Sequence, residues 1–368
     1  MYVLLLCHDY KAPFLSVATQ YASLFKDSAY KVVTVYLKGE PDAEVARLSA
    51  ADEVVFLNYQ SKDIKGLKRA QIRDVRRLHQ QYQFRFAIAH RYKALYIASH
   101  VRELFTMGVH HIDGDYRSFT RRFYVNRKQQ QIALLGVSRA IRDDVRSCLP
   151  RWPAERIQHL YNSLDFDGMR AQLLPREEAR AQLGLAPDDY IIANVGRLHN
   201  DKDQATLIRA FARAQPHMPN ARLAIFGRGK LESALREQAA ACGLQDQVLI
   251  TAVPEIYRYM RGFDCFVLSS IREGLPVAML EAYAAEVPAI ASLCNGNSEA
   301  IDGVGASFAI GDDQALAQHM LAYYRMDAAD IAAMRQRINR KIEENFTATA
   351  VRQSFWALPF MADYPQQG

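Results

Sequence analysis

Short apolar runs alternate with stretches of helical periodicity along most of this chain, and that alternation limits the folds open to it. A brief, fully apolar run suits a strand buried on both faces. Such strands belong to parallel sheets whose crossovers are helices. In the first half the spacing predicts strands at Tyr2–Cys7, Lys31–Leu37, Glu53–Leu57, Phe86–Ala89, Ala94–Ile97 and Gln131–Val137. Helices are expected at Val17–Phe25, at Ile64–Gln81, and from a Ser138 cap to about Ser147, with a short strand at Arg156–Leu160. The pattern restarts after the turn Pro187-Asp188-Asp189. Strands Tyr190–Val195, Ala221–Phe226, Val248–Thr251, Cys265–Leu268 and Ala289–Ser292 then alternate with helices at Gln204–Ala214, Lys230–Cys242 and Val277–Glu286. Further helices follow from Asp313, ending in Thr347–Trp356 with the aromatic pair Phe355 and Trp356. At 368 residues the chain has room for two such domains, and the linker is expected near 164–185.

Composition excludes several classes. Half of the residues are hydrophobic and 23% are charged, as in ordinary globular proteins. No apolar run reaches the roughly 20 residues that span a bilayer. The amino-terminal run lacks the basic lead-in of a signal peptide. Cys7, Cys148, Cys242, Cys265 and Cys294 are scattered without paired spacing, which argues for a reducing cytoplasm and against a zinc site. Charge is unequal: residues 1–184 carry a balance of +10 and the remainder −4. The densest basic stretch, Lys62–Lys93, holds ten Lys and Arg against Asp63 and Asp74.

Two segments in the second half carry chemistry. After strand Cys265–Leu268 comes a Ser-Ser corner, then Arg272-Glu273-Gly274-Leu275-Pro276-Val277 and, further on, Glu281. Gly274 permits a tight turn, Pro276 suits a first helical position, and Pro288 stops the helix. Glu273 therefore belongs to a loop at a strand's carboxyl end and Glu281 to the following helix. The helix amino terminus at 275–277 offers N–H groups and a positive dipole end for phosphate. The second segment is Gly196-Arg197-Leu198-His199-Asn200-Asp201-Lys202-Asp203. It places a glycine and two cations at another strand end, where open α/β sheets bind ligands. Arg offers a planar fork and Lys a point charge, a pair suited to diphosphate.

Glu273 and Glu281 around Gly-Leu-Pro, together with Gly-Arg-Leu-x-x-x-Lys, resemble the motifs of retaining glycosyltransferases of the GT-B fold. Family 4, the glycosyl transferases group 1, is the nearest pattern. The resemblance implies an α/β GT-B architecture of two Rossmann-like domains with parallel sheets facing across a cleft. An acceptor domain would span 1–170, with a carboxyl-terminal helix 346–368 crossing back to it. A sugar-nucleotide domain would span 185–345. Donor contacts would come from Gly196, Arg197, Lys202, Gly227, Glu273, Gly274, Leu275, Pro276, Val277 and Glu281, with Glu273 on the sugar and Glu281 on the ribose. Arg197 and Lys202 would stabilise the departing diphosphate, so no metal or other cofactor is expected. His90, at a strand end in the first half, would touch the donor sugar and completes the catalytic set with Glu273, Arg197 and Lys202. Gly227 in Phe226-Gly-Arg-Gly229 would lie near the base, with Arg228 a weaker contact. Asn295–Glu299 resembles a small-residue loop preceding a short helix.

Three departures stand out. Asp203 follows the lysine where the family has Gly or Asn. Thr251-Ala252 replaces the usual end of its strand. The loop His8–Pro13 lacks the family's glycines, leaving Asp9 alone as an acceptor-loop candidate. The expected activity is transfer of a sugar from a nucleotide-sugar, taken as a UDP-sugar, to a glycan or glycolipid of the bacterial surface such as lipopolysaccharide. The expected location is cytoplasmic, with Lys62–Lys93 a candidate contact to the anionic inner membrane face; nucleic acid is not an expected partner. Two rival readings use the same residues. A nucleotide-sugar epimerase would need acid and base groups around the sugar, and a non-catalytic nucleic-acid binder would use the basic half.

Overall fold

The computed structural model describes residues 1–11 and 14–366. Ala12 and Pro13 of the expected acceptor loop, and the last two residues of the expected 346–368 helix, lie outside them. The chain divides into two compact units, Met1–Leu164 with Ala348–Gly368, and Asp165–Thr347.

The first unit is built on β1 (Tyr2–Cys7), β2 (Lys31–Tyr36), β3 (Glu53–Phe56), β4 (Phe86–His90), β5 (Phe105–His110), β6 (Ile132–Gly136) and β7 (Ile157–His159). Their order is β3-β2-β1-β4-β5-β6-β7, and every pair is parallel. β1 shows why its run is unbroken: Val3, Leu5 and Cys7 enter the core on one face, Leu4 and Leu6 the core on the other. The second unit holds β8 (Tyr190–Val195), β9 (Ala221–Phe226), β10 (Val248–Thr251), β11 (Cys265–Leu268), β12 (Ala289–Ser292) and β13 (Ala306–Phe308). Their order is β10-β9-β8-β11-β12-β13, again parallel throughout. Both are α/β Rossmann-like sheets. The strand order reverses direction at β1/β4 in one and at β8/β11 in the other, and the carboxyl ends there are the ligand-binding places of such sheets.

The chain returns to the first unit through helix Ala348–Trp356. Phe355 is fully buried and packs edge-on against Phe25 at 5.5 Å. Burial of one such ring contributes about 1.5–3 kcal/mol. Trp356 stacks on Tyr30, and its Nε1 donates to the Leu24 carbonyl at 3.1 Å. The helix ends at Trp356 instead of running through 346–368. Pro359, which opens the short 3₁₀ turn Pro359–Met361, has no amide to continue it.

Four further expectations are corrected. Ala94–Ile97 is not a strand but the middle of helix Arg91–Ala98, with Ala94, Leu95, Ile97 and Ala98 all buried. The strand in that region is β5, which contains Gly108. A Cβ there would lie 2.7 Å from the Leu95 side chain, so the glycine lets the helix close on the sheet. The helix expected from Ile64 starts at Arg69, because Gly66 and Lys68 hold left-handed φ values of 58° and 51°. The helix expected over Val277–Glu286 ends at Ala284, with Glu286 left-handed at φ 59°, and Pro276 is its N-cap instead of its first residue. Asn295–Glu299 forms the start of helix Asn295–Ile301 itself, not a loop before one.

Candidate functional site

The β8/β11 switch point gathers most of the predicted residues of the second unit. β8 delivers Gly196 and Arg197, a single 3₁₀ turn (Asn200–Lys202) delivers Lys202, and the loop after β11 delivers Glu273. The ammonium of Lys202 and the Glu273 carboxylate form an ion pair. Both side chains are mostly buried, at 19% and 12% exposure. Ser270 Oγ donates to the same Glu273 oxygen at 2.8 Å. Backbone bonds tie the two loops together: Ile271 N donates to the Asp201 carbonyl at 2.8 Å, and Ser269 Oγ to the Lys202 carbonyl at 2.9 Å. A lysine and a glutamate distant in sequence are thus held on a common frame.

Gly227 lies beside Gly196. A Cβ on Gly227 would sit 1.9 Å from the Gly196 carbonyl oxygen, so only glycine lets these two loops approach. Asp203 sits at φ 44° and caps helix Gln204–Ala214, accepting from Thr206 N and from Thr206 Oγ1 at 2.6 Å. The left-handed region tolerates Gly, Asn and Asp, so Asp203 meets the same backbone demand as the residues it replaces. Arg197 is exposed, and among the described residues its guanidinium makes no ion pair. Arg228 is exposed as well.

The loop Glu273–Pro276 leads into helix Val277–Ala284. Val277 N bonds the Leu275 carbonyl, and Met279 N and Leu280 N bond that of Pro276. Among the described residues the Leu275 and Ala278 amides have no backbone acceptor, so two donors remain at this helix start. Glu281 is half-buried on this helix, and burial pushes its carboxyl up to about 7. No described side chain pairs with it.

Residues outside the predicted donor set support the Glu273 loop. Ser292 Oγ donates to the Ser270 carbonyl at 2.5 Å, and Asn297 Nδ2 to Ser292 Oγ at 3.2 Å. Gly296 N donates to the Glu273 carbonyl at 3.1 Å, fastening helix Asn295–Ile301 to the Glu273 loop. The Ser-Ser corner directly after an apolar strand was the available signal.

His90 lies in the first unit at the end of β4. It is 2% exposed, its Nδ1 is 3.2 Å from His111 Nε2, and its ring meets Tyr21 edge-on. Burial and the neighbouring His111 hold it well below the usual histidine range, so it is neutral. Its Nε2 is buried with no hydrogen-bond partner among the described residues. The basic stretch separates into distinct places: Arg69, Arg73, Arg76 and Arg77 are exposed on one face of helix Arg69–Tyr82, whereas Arg91 and Lys93 follow β4 at the strand end. Among the described residues, no group of three His, Cys, Asp or Glu side chains could hold a metal ion. No helix of the described residues is long and apolar enough to cross a membrane.

Known proteins share parts of this sequence and its fold. The chain is 36% identical over 108 residues to the uncharacterized glycosyltransferase MJ1059 of Methanocaldococcus jannaschii, covering 29% of this chain and 27% of that protein. It is 30% identical over 159 residues to a GDP-mannose-dependent alpha-(1-6)-phosphatidylinositol monomannoside mannosyltransferase of Mycobacterium tuberculosis, covering 40% and 41%. The chain therefore spans about a quarter to two fifths of the length of these curated relatives. The solved structure of Anabaena Alr3699/HepE in complex with UDP and glucose superposes with a TM-score of 0.77 at 18% identity, over 96% of this chain and 98% of that one. Residues 175–344, most of the second unit, match the family model Glycosyl transferases group 1, the family that this unit resembles in motif and in sequence.

Proposed function

We propose that this protein is a retaining glycosyltransferase that moves a sugar from a UDP-sugar to an acceptor on a bacterial surface glycan or glycolipid, such as lipopolysaccharide. The observation that carries the proposal is the Lys202–Glu273 pair at the β8/β11 switch point, with the exposed Arg197 following β8 at the same sheet edge. When donor enters, its diphosphate competes with Glu273 for Lys202. Lys202 and Arg197 then neutralise the leaving group, and the released Glu273 carboxylate accepts from the sugar hydroxyls. Glu281 accepts from the ribose. The bond from C1 to the phosphate oxygen breaks as the acceptor oxygen bonds C1 on the same face. The acceptor proton passes to the departing phosphate oxygen, so no separate protein base is needed. Because two fixed cations carry the phosphate charge, we infer that transfer persists in excess EDTA.

The uridine assignment is supported by the motif resemblance and by a fold shared with a UDP-bound structure. The GDP-mannose-dependent relative sets the competing outcome. A thermal-shift panel of UDP- and GDP-sugars tests this, since a ligand of the native state raises the apparent melting temperature. Stabilisation by UDP-sugars and an anomeric product configuration matching the donor support the reading. Stabilisation by GDP-sugars alone overturns the base, and interconversion of sugars without acceptor overturns transfer in favour of epimerisation. We place the enzyme in the cytoplasm, visiting the inner membrane face. The exposed arginines of helix Arg69–Tyr82 support that placement, as does the stacked pair Phe119 and Phe123, exposed by 72% and 54%.

A further inference from the structure

The first unit contains a cavity of about 240 Å³ whose walls include His8, Arg91, Lys93, His111, Asp115 and Arg121. These residues come from three neighbouring strand ends. His8 follows β1, Arg91 and Lys93 follow β4, and His111 follows β5. The cavity therefore sits at the β1/β4 switch point, where such a sheet binds ligands.

Its charges are not balanced. Arg121 is neutralised by Asp115, at 2.6 Å, and lies over the Tyr92 ring. Arg91 and Lys93 have no carboxylate partner among the described residues. The Arg91 guanidinium is held 4.3 Å from the centre of the Phe14 ring, which fixes its direction without cancelling its charge. Arg91 also adopts φ 71°, an unfavourable conformation for a side chain of its size. Strain of this kind persists where surrounding structure enforces it, and it concentrates at ligand sites. Burial holds His8 and His111 below their ordinary range, with Arg91 adding to the effect on both. A neutral imidazole keeps one N–H to donate, and for His111, whose Nε2 lies 3.2 Å from His90 Nδ1, that N–H is available to a ligand when His90 is the donor of the pair.

We propose that this cavity binds an oxyanion carried by the acceptor, a phosphoryl or carboxylate group, through Arg91 and Lys93 with His8 and His111 as further donors. The identification of the ligand as acceptor rests on the glycosyltransferase reading above; the anion site itself does not. The acceptor class is thereby narrowed to phosphorylated or acidic glycans and lipids.

The test follows the ring signals of His8 and His111 by NMR in the full chain, during titration with methyl phosphate, glucuronate and methyl glucoside. Saturable shifts with an anionic probe, about tenfold weaker in Arg91→Gln/Lys93→Gln, support the site. The anion that saturates at lower concentration identifies the source as phosphoryl or carboxylate. Equal shifts with neutral methyl glucoside, or shifts unchanged in the double variant, overturn it. Arg197→Ala/Lys202→Ala should leave these shifts intact, and loss of them there also overturns the site. Calorimetry with UDP on the wild type reports separately on the donor reading. Absence of UDP binding with intact His8 and His111 shifts would sink that reading and keep the anion site.

Discussion

Lys202 and Glu273 neutralise each other across the ends of β8 and β11, with Ser270 donating to the same carboxylate oxygen. Each charge is mostly withdrawn from water, so losing either partner leaves the other poorly solvated. The pair is a preformed frame in which a diphosphate can replace one member.

That competition separates binding from turnover. Glu273→Gln frees Lys202, so UDP should bind at least as tightly as in wild type. Turnover should fall by about tenfold or more, the scale of one to a few kcal/mol of lost transition-state contact. Lys202→Ala should weaken UDP binding and slow transfer together, and Arg197→Ala should do both to a smaller extent. Calorimetry and initial rates measure the two quantities. A folded Glu273→Gln variant with wild-type turnover removes Glu273 from the site.

Glu281 makes the second unit pH-sensitive. Burial raises its carboxyl to about 7, above the unfolded value, so the folded form holds the proton more tightly. Stability from this group is full at acid pH and is lost as pH rises through about 7. Glu281→Gln should therefore raise the melting temperature relative to wild type at pH 8.5 and leave it close to wild type at pH 5. The difference should be about 1–3 kcal/mol, scaled down for partial exposure. Ribose hydroxyls are donors and prefer the ionised carboxylate. UDP affinity should accordingly rise more steeply from pH 6 to 8 in the wild type than in Glu281→Gln, where only the terminal phosphate of UDP ionises. Equal slopes in the two proteins would falsify the ribose assignment.

Gly227→Ala tests the approach of the two loops. The added methyl would meet the Gly196 carbonyl at 1.9 Å, so backbone must move. Overpacking of this kind costs about 1–3 kcal/mol. A lowered melting temperature with weakened UDP binding is expected, whereas Gly243→Ala, at an open left-handed position, should lower stability without touching UDP binding. Equal effects on UDP from both would remove Gly227 from the site.

The sequence made the strands legible where both faces of a sheet are covered, because burial on two sides forces runs such as Tyr2–Cys7 and Tyr190–Val195. β5 was hidden because Gly108 gives up its side chain to the packing of Leu95. Helix Arg91–Ala98 was hidden by the same contact, since its buried face reads as a short apolar run. The lysine and glutamate of the candidate site were visible as separate motifs. Their pairing was not, since it depends on which strand ends lie side by side. The same holds for Arg180, a half-turn of charge in a polar helix that is only 2% exposed and bonds Asp264 at 2.7 Å and the Gly262 carbonyl at 2.9 Å. The anion cavity of the first unit needed three strand ends at once, and no single motif announced it.

Membrane contact should have two separable components. Lys65, Arg69, Arg73, Arg76 and Arg77 are exposed, though Arg73 is partly compensated by Asp74 at 3.3 Å. Charges of this kind act within about a Debye length, roughly 8–10 Å at about 0.1–0.15 M salt, so their contribution should fade as salt rises. Phe119 and Phe123 stack with ring centres 6.3 Å apart on helix Phe119–Arg127, and Arg127 lies over Phe123. Two rings entering the lipid interface would supply a component that salt does not remove. Replacing Lys65, Lys68, Arg69 and Arg73 with Gln should reduce co-sedimentation with anionic vesicles at low salt. Phe119→Ser/Phe123→Ser should reduce what remains at high salt, with the melting temperature close to wild type because both rings are already exposed. Equal binding of all three proteins to anionic vesicles, or no wild-type binding at low salt, would leave both surfaces as solvated faces.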